Sequence, residues 1–289
     1  MKILVPIDFS DHSLKSFEVA NHFAGIMGGT VTPFYAHVPI TDLDEPYTLG
    51  MGAHTLQDFE KLEKTFIQRV NEEAREIVDK DRLLPAVVKL GNAPQSIIDV
   101  SKDYDYIIMS SHGRTGFSRF LLGSVAEKVL RLAHTPVMIL EDDVDVGNFE
   151  RILVTTDFSE NAAHAYPYAL EIAQKTGGTI DLLHVLSFDQ MDEDEMDLSL
   201  KKIREERLKI VAKEYFHQLP DENTRTRILV SEDSPHEAIY NFTNEEDYDL
   251  LIMATVGRTG LKYMMMGSTT ANVVRHVHTA VLSINPRKT

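Results

Sequence analysis

The chain has 289 residues, a length that suits two domains of ordinary size. Acidic residues outnumber basic ones 45 to 29, and the net charge of −16 argues against a broad interface with nucleic acid or with anionic lipid, both of which need clustered Lys and Arg. With no cysteine there are no disulfides, iron–sulfur clusters, thiolate zinc sites or cysteine nucleophiles, and no run of about 18 apolar residues is present to span a bilayer.

Taken in order, Lys2–Ile7 is a continuous β-rich apolar run, the pattern of a buried parallel strand. The run is broken by Pro6 and Asp8 and is too short for a signal peptide, so the chain reads as cytoplasmic. Ser10 or Asp11 caps a helix with Leu14, Phe17, Ala20 and Phe23 at helical spacing, stopped by Gly28-Gly29. Thr30–Val38 reads as the second strand, Leu56–Val78 as a long amphipathic helix, and Ala86–Leu90 as the third strand. Pro94 opens a helix to Lys102. Tyr106–Ser110 is the fourth strand, Leu121–Leu132 a helix, and Val137–Leu140 the fifth strand. Glu141–Asn148, EDDVDVGN, is a short acidic connector.

The pattern then starts again. Residues 3–31 and 152–180 share 11 of 29 positions without a gap, and residues 107–140 and 251–284 share 13 of 34. The offsets are 149 and 144, so the halves carry different insertions between these segments. Strands are expected near 151–155, 179–186, 225–230, 249–254 and 280–284. A period this long marks a duplicated domain, with units placed at residues 1–143 and 149–289. Strand–helix alternation makes each unit a doubly wound α/β domain, a parallel sheet with helices on both faces. The acidic stretch Asp189–Asp197 reads as a solvated loop ahead of a long helix.

Chemistry concentrates after the fourth strand. The segment Ser110–Ser124, SSHGRTGFSRFLLGS, has Gly113 and Gly116 to turn the backbone, and Gly123-Ser124 at a helix start with unpaired N–H groups. Ala254–Ser268, ATVGRTGLKYMMMGS, repeats it with Gly257, Gly260, Gly267 and Ser268 at identical spacing. Each loop is either a phosphate nest or a tight strand–helix connection. The first strand of each half ends in an acid, Asp8 or Asp157, which either caps the next helix or accepts hydrogen bonds from a ligand. If strands one and four flank the switch point of the winding, Asp8 and the Gly113 loop face one cleft. Arg114 and Arg258 either clamp a terminal phosphate or sit in solvent. Thr115 and Ser118 are ordinary loop hydroxyls or phosphoacceptors. His276 and His278 read as contacts at a helix C-terminus, and Tyr263–Met266 as core. There is no G-x4-G-K-[ST], no G-x-G-x-x-G after either first strand and no S-G-G-x-D-S loop, which argues against P-loop, dinucleotide and adenylating chemistry.

The opening strand with its terminal Asp, and the spacing Ser110-x2-Gly113-x9-Gly123-Ser124 with Ala254-x2-Gly257-x9-Gly267-Ser268, resemble the universal stress protein family and its motif G-x2-G-x9-G-(S/T). The resemblance covers essentially the whole chain, as two such domains fused head to tail. Ser110 and Ala254, both small, stand where the motif has its first glycine. The resemblance implies a five-stranded parallel sheet of order 3-2-1-4-5 in each half. It implies that Val137–Leu140 and Ala280–Ile284 pair as an intrachain pseudo-dimer, with a homodimer of the whole chain as a further option. Many members bind ATP and others, without the motif, do not.

Carried over, Pro6, Ile7, Asp8 and Val38 surround adenosine in the first half, and Met109, Ser110, Gly113, Arg114, Gly116, Gly123, Ser124 and Val125 lie at the phosphates. In the second half the set is Asp157 and Val185, then Met253, Ala254, Gly257, Arg258, Gly260, Gly267, Ser268 and Thr269. Thr155-Thr156 replace Pro6-Ile7, and Val256 replaces His112. The function expected is an ATP-binding regulatory protein of the stress response, with AMP or ADP as alternative ligands, Mg²⁺ as an accompanying ion, and an unidentified protein partner. No catalytic residue or metal ligand is assigned, and the chain is not expected to be an enzyme beyond slow hydrolysis or autophosphorylation. The alternatives are a nucleotide-independent interaction scaffold and a slow ATPase or autokinase.

Overall fold

The computed structural model describes residues 1–37, 56–113, 122–141, 147–187, 198–256 and 267–286. In the first half β1 (Lys2–Ile7), β2 (Thr30–His37), β3 (Val87–Leu90), β4 (Tyr106–Ser110) and β5 (Val137–Leu140) alternate with α1 (Asp11–Met27), α2 (Leu56–Arg75), α3 (Ala93–Ser101) and α4 (Ser124–Leu132). The second half has β6 (Arg151–Thr155), β7 (Thr179–Ser187), β8 (Thr224–Ser231), β9 (Leu250–Ala254) and β10 (Ala280–Ile284). Its helices are α5 (Glu160–Ala163), α6 (Tyr166–Thr176), α7 (Leu198–Phe216), α8 (Pro235–Glu245) and α9 (Ser268–His276).

The strands form one ten-stranded sheet of order β3-β2-β1-β4-β5-β10-β9-β6-β7-β8. Each half reads 3-2-1-4-5, as the resemblance implied. Pairing is parallel within each half, for example Ile3 beside Val31 and Tyr106. The halves meet at β5 and β10, which are antiparallel, with Val281 opposite Ile139 and Leu282 opposite Met138. This is the intrachain pseudo-dimer. Burial on both faces explains the unbroken apolar runs: Ile3, Leu4 and Val5 of β1 and Leu250, Leu251 and Ile252 of β9 are fully buried. One core layer lies under α1, α2, α6 and α7, built around Phe17, Phe23, Tyr166 and Phe216. The other lies under α3, α4, α8 and α9, built around Ile97, Leu130, Ile239 and Val274.

Local chemistry sets the helix ends. Ser10 caps α1 by accepting from Ser13 N, and Gly28 closes it at φ 73°, a left-handed conformation that glycine adopts without penalty. The helix expected from Leu121 starts instead at Ser124, with Gly123 as its N-cap. The helix expected to run to Val78 ends at Arg75. Val38, expected to end the second strand, lies outside the described residues. A further departure is in the second half, where the counterpart of α1 is split into α5 and α6. Pro167 sits at the start of α6 and has no N–H to give to Ala163, so the first helix stops there.

The residue after the connector also seals the two halves. Phe149, at φ 55° and 2% exposed, packs edge-on against Phe23 of α1 at 5.2 Å and lies over His22 at 6.0 Å. Beyond β10, Asn285 Nδ2 donates to Ala133 O at the end of α4, at 2.9 Å.

Candidate functional site

In both halves β1 or β6 ends in the same turn. Asp8 Oδ1 accepts from Ser10 N at 3.1 Å and from Ser10 Oγ at 2.6 Å. Asp157 Oδ1 accepts from Ser159 N at 2.9 Å. The residue between is forced into the left-handed region: Phe9 has φ 65° and Phe158 φ 62°. For a side chain with a Cβ this costs about 1–2 kcal/mol. Each ring is met by a guanidinium from the long helix after the second strand, which offsets part of that cost. Arg69 of α2 lies 4.3 Å over Phe9, and Arg207 and Arg204 of α7 lie 4.7 and 5.6 Å over Phe158. The acid ending each first strand is thus held at the carboxyl end of the sheet, beside the switch point between the first and fourth strands.

The glycine positions are crowded against that acid and against backbone. A Cβ built on Gly113 would come 2.3 Å from Asp8 Oδ2, so the loop passes directly over the carboxylate. A Cβ on Gly123 would come 2.9 Å from Ser111 O, and one on Gly267 3.2 Å from Thr255 O. Gly123 N and Gly267 N donate to those same carbonyls, each at 2.8 Å. The two loops therefore close in the same way onto the starts of α4 and α9. Neither helix has a side-chain cap at its N-cap glycine. Their first-turn N–H groups, at Ser124 and Val125 or Ser268 and Thr269, are the position from which a helix start holds an anion.

In the second half these parts enclose a cavity of about 550 Å³ at the carboxyl ends of β6, β7 and β9. Of the residues singled out by sequence, Asp157, Val185, Met253, Ala254, Gly267, Ser268 and Thr269 line it, together with Thr155 and Thr156. Gly257, Arg258 and Gly260 lie outside the described residues. In the first half Pro6 and Ile7 are buried in β1 opposite Phe34 and Tyr35, and Met109 is buried in β4. Ser110 Oγ donates to His112 O at 2.6 Å, turned back into the loop. Val38, Arg114 and Gly116 lie outside the described residues, as do Thr115, Ser118, the acidic stretch and Tyr263–Met266. Leu122, the counterpart of Met266, is buried. His276 Nδ1 lies 2.6 Å from Asn272 O in the last turn of α9.

The cavity has walls that the sequence did not single out: His184 and Ser187 from β7, Arg204 from α7, and Pro235 and Ile239 from α8. His184 Nδ1 meets Thr156 O at 2.8 Å, and its ring lies 4.3 Å from Phe158. Thr156 Oγ1 accepts from Phe158 N at 2.9 Å and pairs with Tyr166 OH at 2.6 Å. Burial pushes the Tyr166 hydroxyl up to about 12, so it is neutral behind the site at ordinary pH. The signal for His184 is visible in the repeat, since a His precedes the valine in both halves. Arg204 leaves no such trace, because α2 and α7 do not align without gaps. Near the first site, His112 is partly buried, with Nδ1 2.7 Å from Ser111 Oγ and 3.9 Å from Glu141, where the second half has Val256.

Comparison with known proteins gives one consistent relationship. The sequence model of the universal stress protein family matches residues 1–141 and again residues 148–285. A universal stress protein of Synechocystis is 23% identical over 97% of this chain and 98% of its own length. One from Methanocaldococcus jannaschii is 26% identical over 47% of this chain and 94% of its own. The crystal structure of a universal stress protein from Archaeoglobus fulgidus superposes with a TM-score of 0.69 at 25% identity, covering 99% of this chain and 98% of that one.

Proposed function

Because the chain belongs to the universal stress protein family, as two of its domains in tandem, we propose that it is an adenine-nucleotide-binding regulatory protein of the stress response. The observation that carries this is the second-half cavity. It joins the acid of β6, the valine of β7 and the uncapped start of α9 in one space of about 550 Å³, the size of a small-ligand site. In this reading Asp157 accepts from the adenosine, Val185 and Met253 pack on its apolar surfaces, and the N–H groups of Ser268 and Thr269 with the Ser268 hydroxyl hold the phosphates. Asp8, Met109, Gly113, Gly123, Ser124 and Val125 do the same in the first half. ATP is the ligand named, with AMP and ADP as competitors and Mg²⁺ as its usual companion.

The site is read as one for binding, not turnover. The titratable groups lining the described cavity are each engaged: Asp157 with Ser159 N, His184 with Thr156 O, and Arg204 with the Phe158 ring. Bound nucleotide would bias one conformation or one partner surface over another. The test is calorimetry of ATP and AMP on the intact chain and on Gly113→Val, Gly267→Val and the double variant. Two binding events, each removed by its own substitution, support the reading. Absence of binding to the intact chain overturns it in favour of a nucleotide-independent scaffold. Rapid ADP release in a timed assay would overturn the non-enzymatic part.

A further inference from the structure

At the opposite end of the sheet, where β1, β4 and β5 begin, a cleft of about 640 Å³ opens between the two halves. Tyr104, Asp105 and Tyr106 line it from the first half, and Tyr168 and Glu171 of α6 close it from the second. The ring of Tyr168 stands edge-on to that of Tyr106 at 6.1 Å. Tyr106 is 3% exposed and its hydroxyl has no hydrogen-bond partner among the described residues. Such a group is costly to bury unless something completes it. Burial and then the nearby charge of Glu171 hold the phenol above its ordinary pKa, and Tyr106 lines the same cleft as Glu171 and Asp105.

The approximate twofold symmetry shows that this opening is particular to one side. By the repeat offsets, Tyr168 corresponds to Val19, Glu171 to His22, Asp105 to Asp249 and Tyr106 to Leu250. The correspondence holds in detail: Asp105 accepts from Lys2 N at 2.7 Å, and Asp249 accepts from Arg151 N at 3.0 Å. On the Asp249 side Phe149 and Glu150, which follow the connector, fill the space. Glu150 N also donates to Asp249, and Phe149 lies over His22. Where that side has two apolar residues, a histidine and a plug, this one has two further tyrosines, a second acid and an open cleft.

We propose that this cleft is a binding site for a small alkylammonium ligand of the diamine or polyamine class, its ammonium groups held by Glu171 and Asp105 against the faces of Tyr168 and Tyr104, with Tyr106 OH accepting an N–H. Carboxylates and aromatic faces together are the chemistry that recognises an organic cation. Met1, Lys102 and His134 also line the cleft, and the Lys102 ammonium is neutralised by Asp99 at 2.9 Å. The chain's net charge of −16 raises the local concentration of cations.

The probe is spermidine, titrated calorimetrically into the full chain at physiological ionic strength. One site is expected, weakened about tenfold by Glu171→Gln and by Tyr106→Phe, with ATP binding unchanged in both. Glu206→Gln removes the same charge from an exposed position on α7 and is expected to bind spermidine like the parent. No saturable binding at millimolar spermidine overturns the proposal. So does equal weakening by Glu206→Gln and Glu171→Gln, which would mean a diffuse attraction to an acidic surface. Circular dichroism and retained ATP binding distinguish a lost site from a lost fold.

Discussion

Replacing Gly113 by alanine tests the geometry of the first site most directly. The added Cβ would stand 2.3 Å from Asp8 Oδ2, well inside any tolerated contact, so the carboxylate or the loop must move by about 1 Å. The carboxylate is short and is anchored through Oδ1 by Ser10 N and Ser10 Oγ. Losing both bonds in this half-buried turn is expected to cost about 2–3 kcal/mol. Asp8→Ala loses the same bonds and leaves room for the new methyl. Gly113→Ala in that background should therefore cost little, and the double variant should fall short of the sum of the singles by about 2 kcal/mol. Urea unfolding followed by circular dichroism gives the stabilities, and calorimetry follows nucleotide at the first site alone, which both singles should abolish. Strict additivity, or a Gly113→Ala protein as stable as the parent, would refute the close approach of loop and acid.

Three further outcomes follow from packing. Phe149→Ala removes a buried ring packed on Phe23 and His22 of α1, and a loss of about 3–5 kcal/mol in urea stability is expected; a shift below about 1 kcal/mol would show that Phe149 does not hold the halves together. Asp181 is 5% exposed and accepts from Tyr248 OH at 2.9 Å and Arg227 Nε at 3.2 Å; Tyr248 is buried whereas the Arg227 side chain is 40% exposed, so Asp181→Ala should cost about 1–3 kcal/mol, mostly by stranding the Tyr248 hydroxyl, and Asp181→Asn distinctly less. Tyr166 is neutral in the fold, its pKa raised from 10.0 to about 12 by burial; the stability this contributes is complete below pH 10 and lost as pH rises through about 12. Urea midpoints across that window should fall by an amount on the order of 2 kcal/mol, less steeply in Tyr166→Phe, and parallel curves for the two proteins would count against the assignment.

Much of the site was legible because it lies in short contiguous segments. Asp8 with Ser10, and Gly113 with Gly123, are near in sequence, and the repeat marked the same positions at Asp157, Gly267 and Ser268. The remaining walls come from elements whose positions are set by the sheet. Arg204 reaches the cavity because α7 returns over β7, and Arg69 and Arg207 meet Phe9 and Phe158 across a turn whose left-handed backbone no composition rule predicts. Pro167 could be read as a helix breaker, yet the match of residues 152–180 to residues 3–31 favoured one continuous helix, and the missing N–H prevailed over the repeat.

The sequence by itself determined the duplication, the strand–helix alternation and hence a parallel sheet in each half, because these follow from local periodicity and from covalent neighbours. Tertiary structure alone decided that β5 and β10 register as Ile139 against Val281, that Phe149 seals one side of the pseudo-dimer, and that the other side opens onto Tyr106. Those features join residues more than sixty positions apart. Their energies arise from packing and from the desolvation of groups such as the Tyr106 hydroxyl, which exist only once the two halves have met.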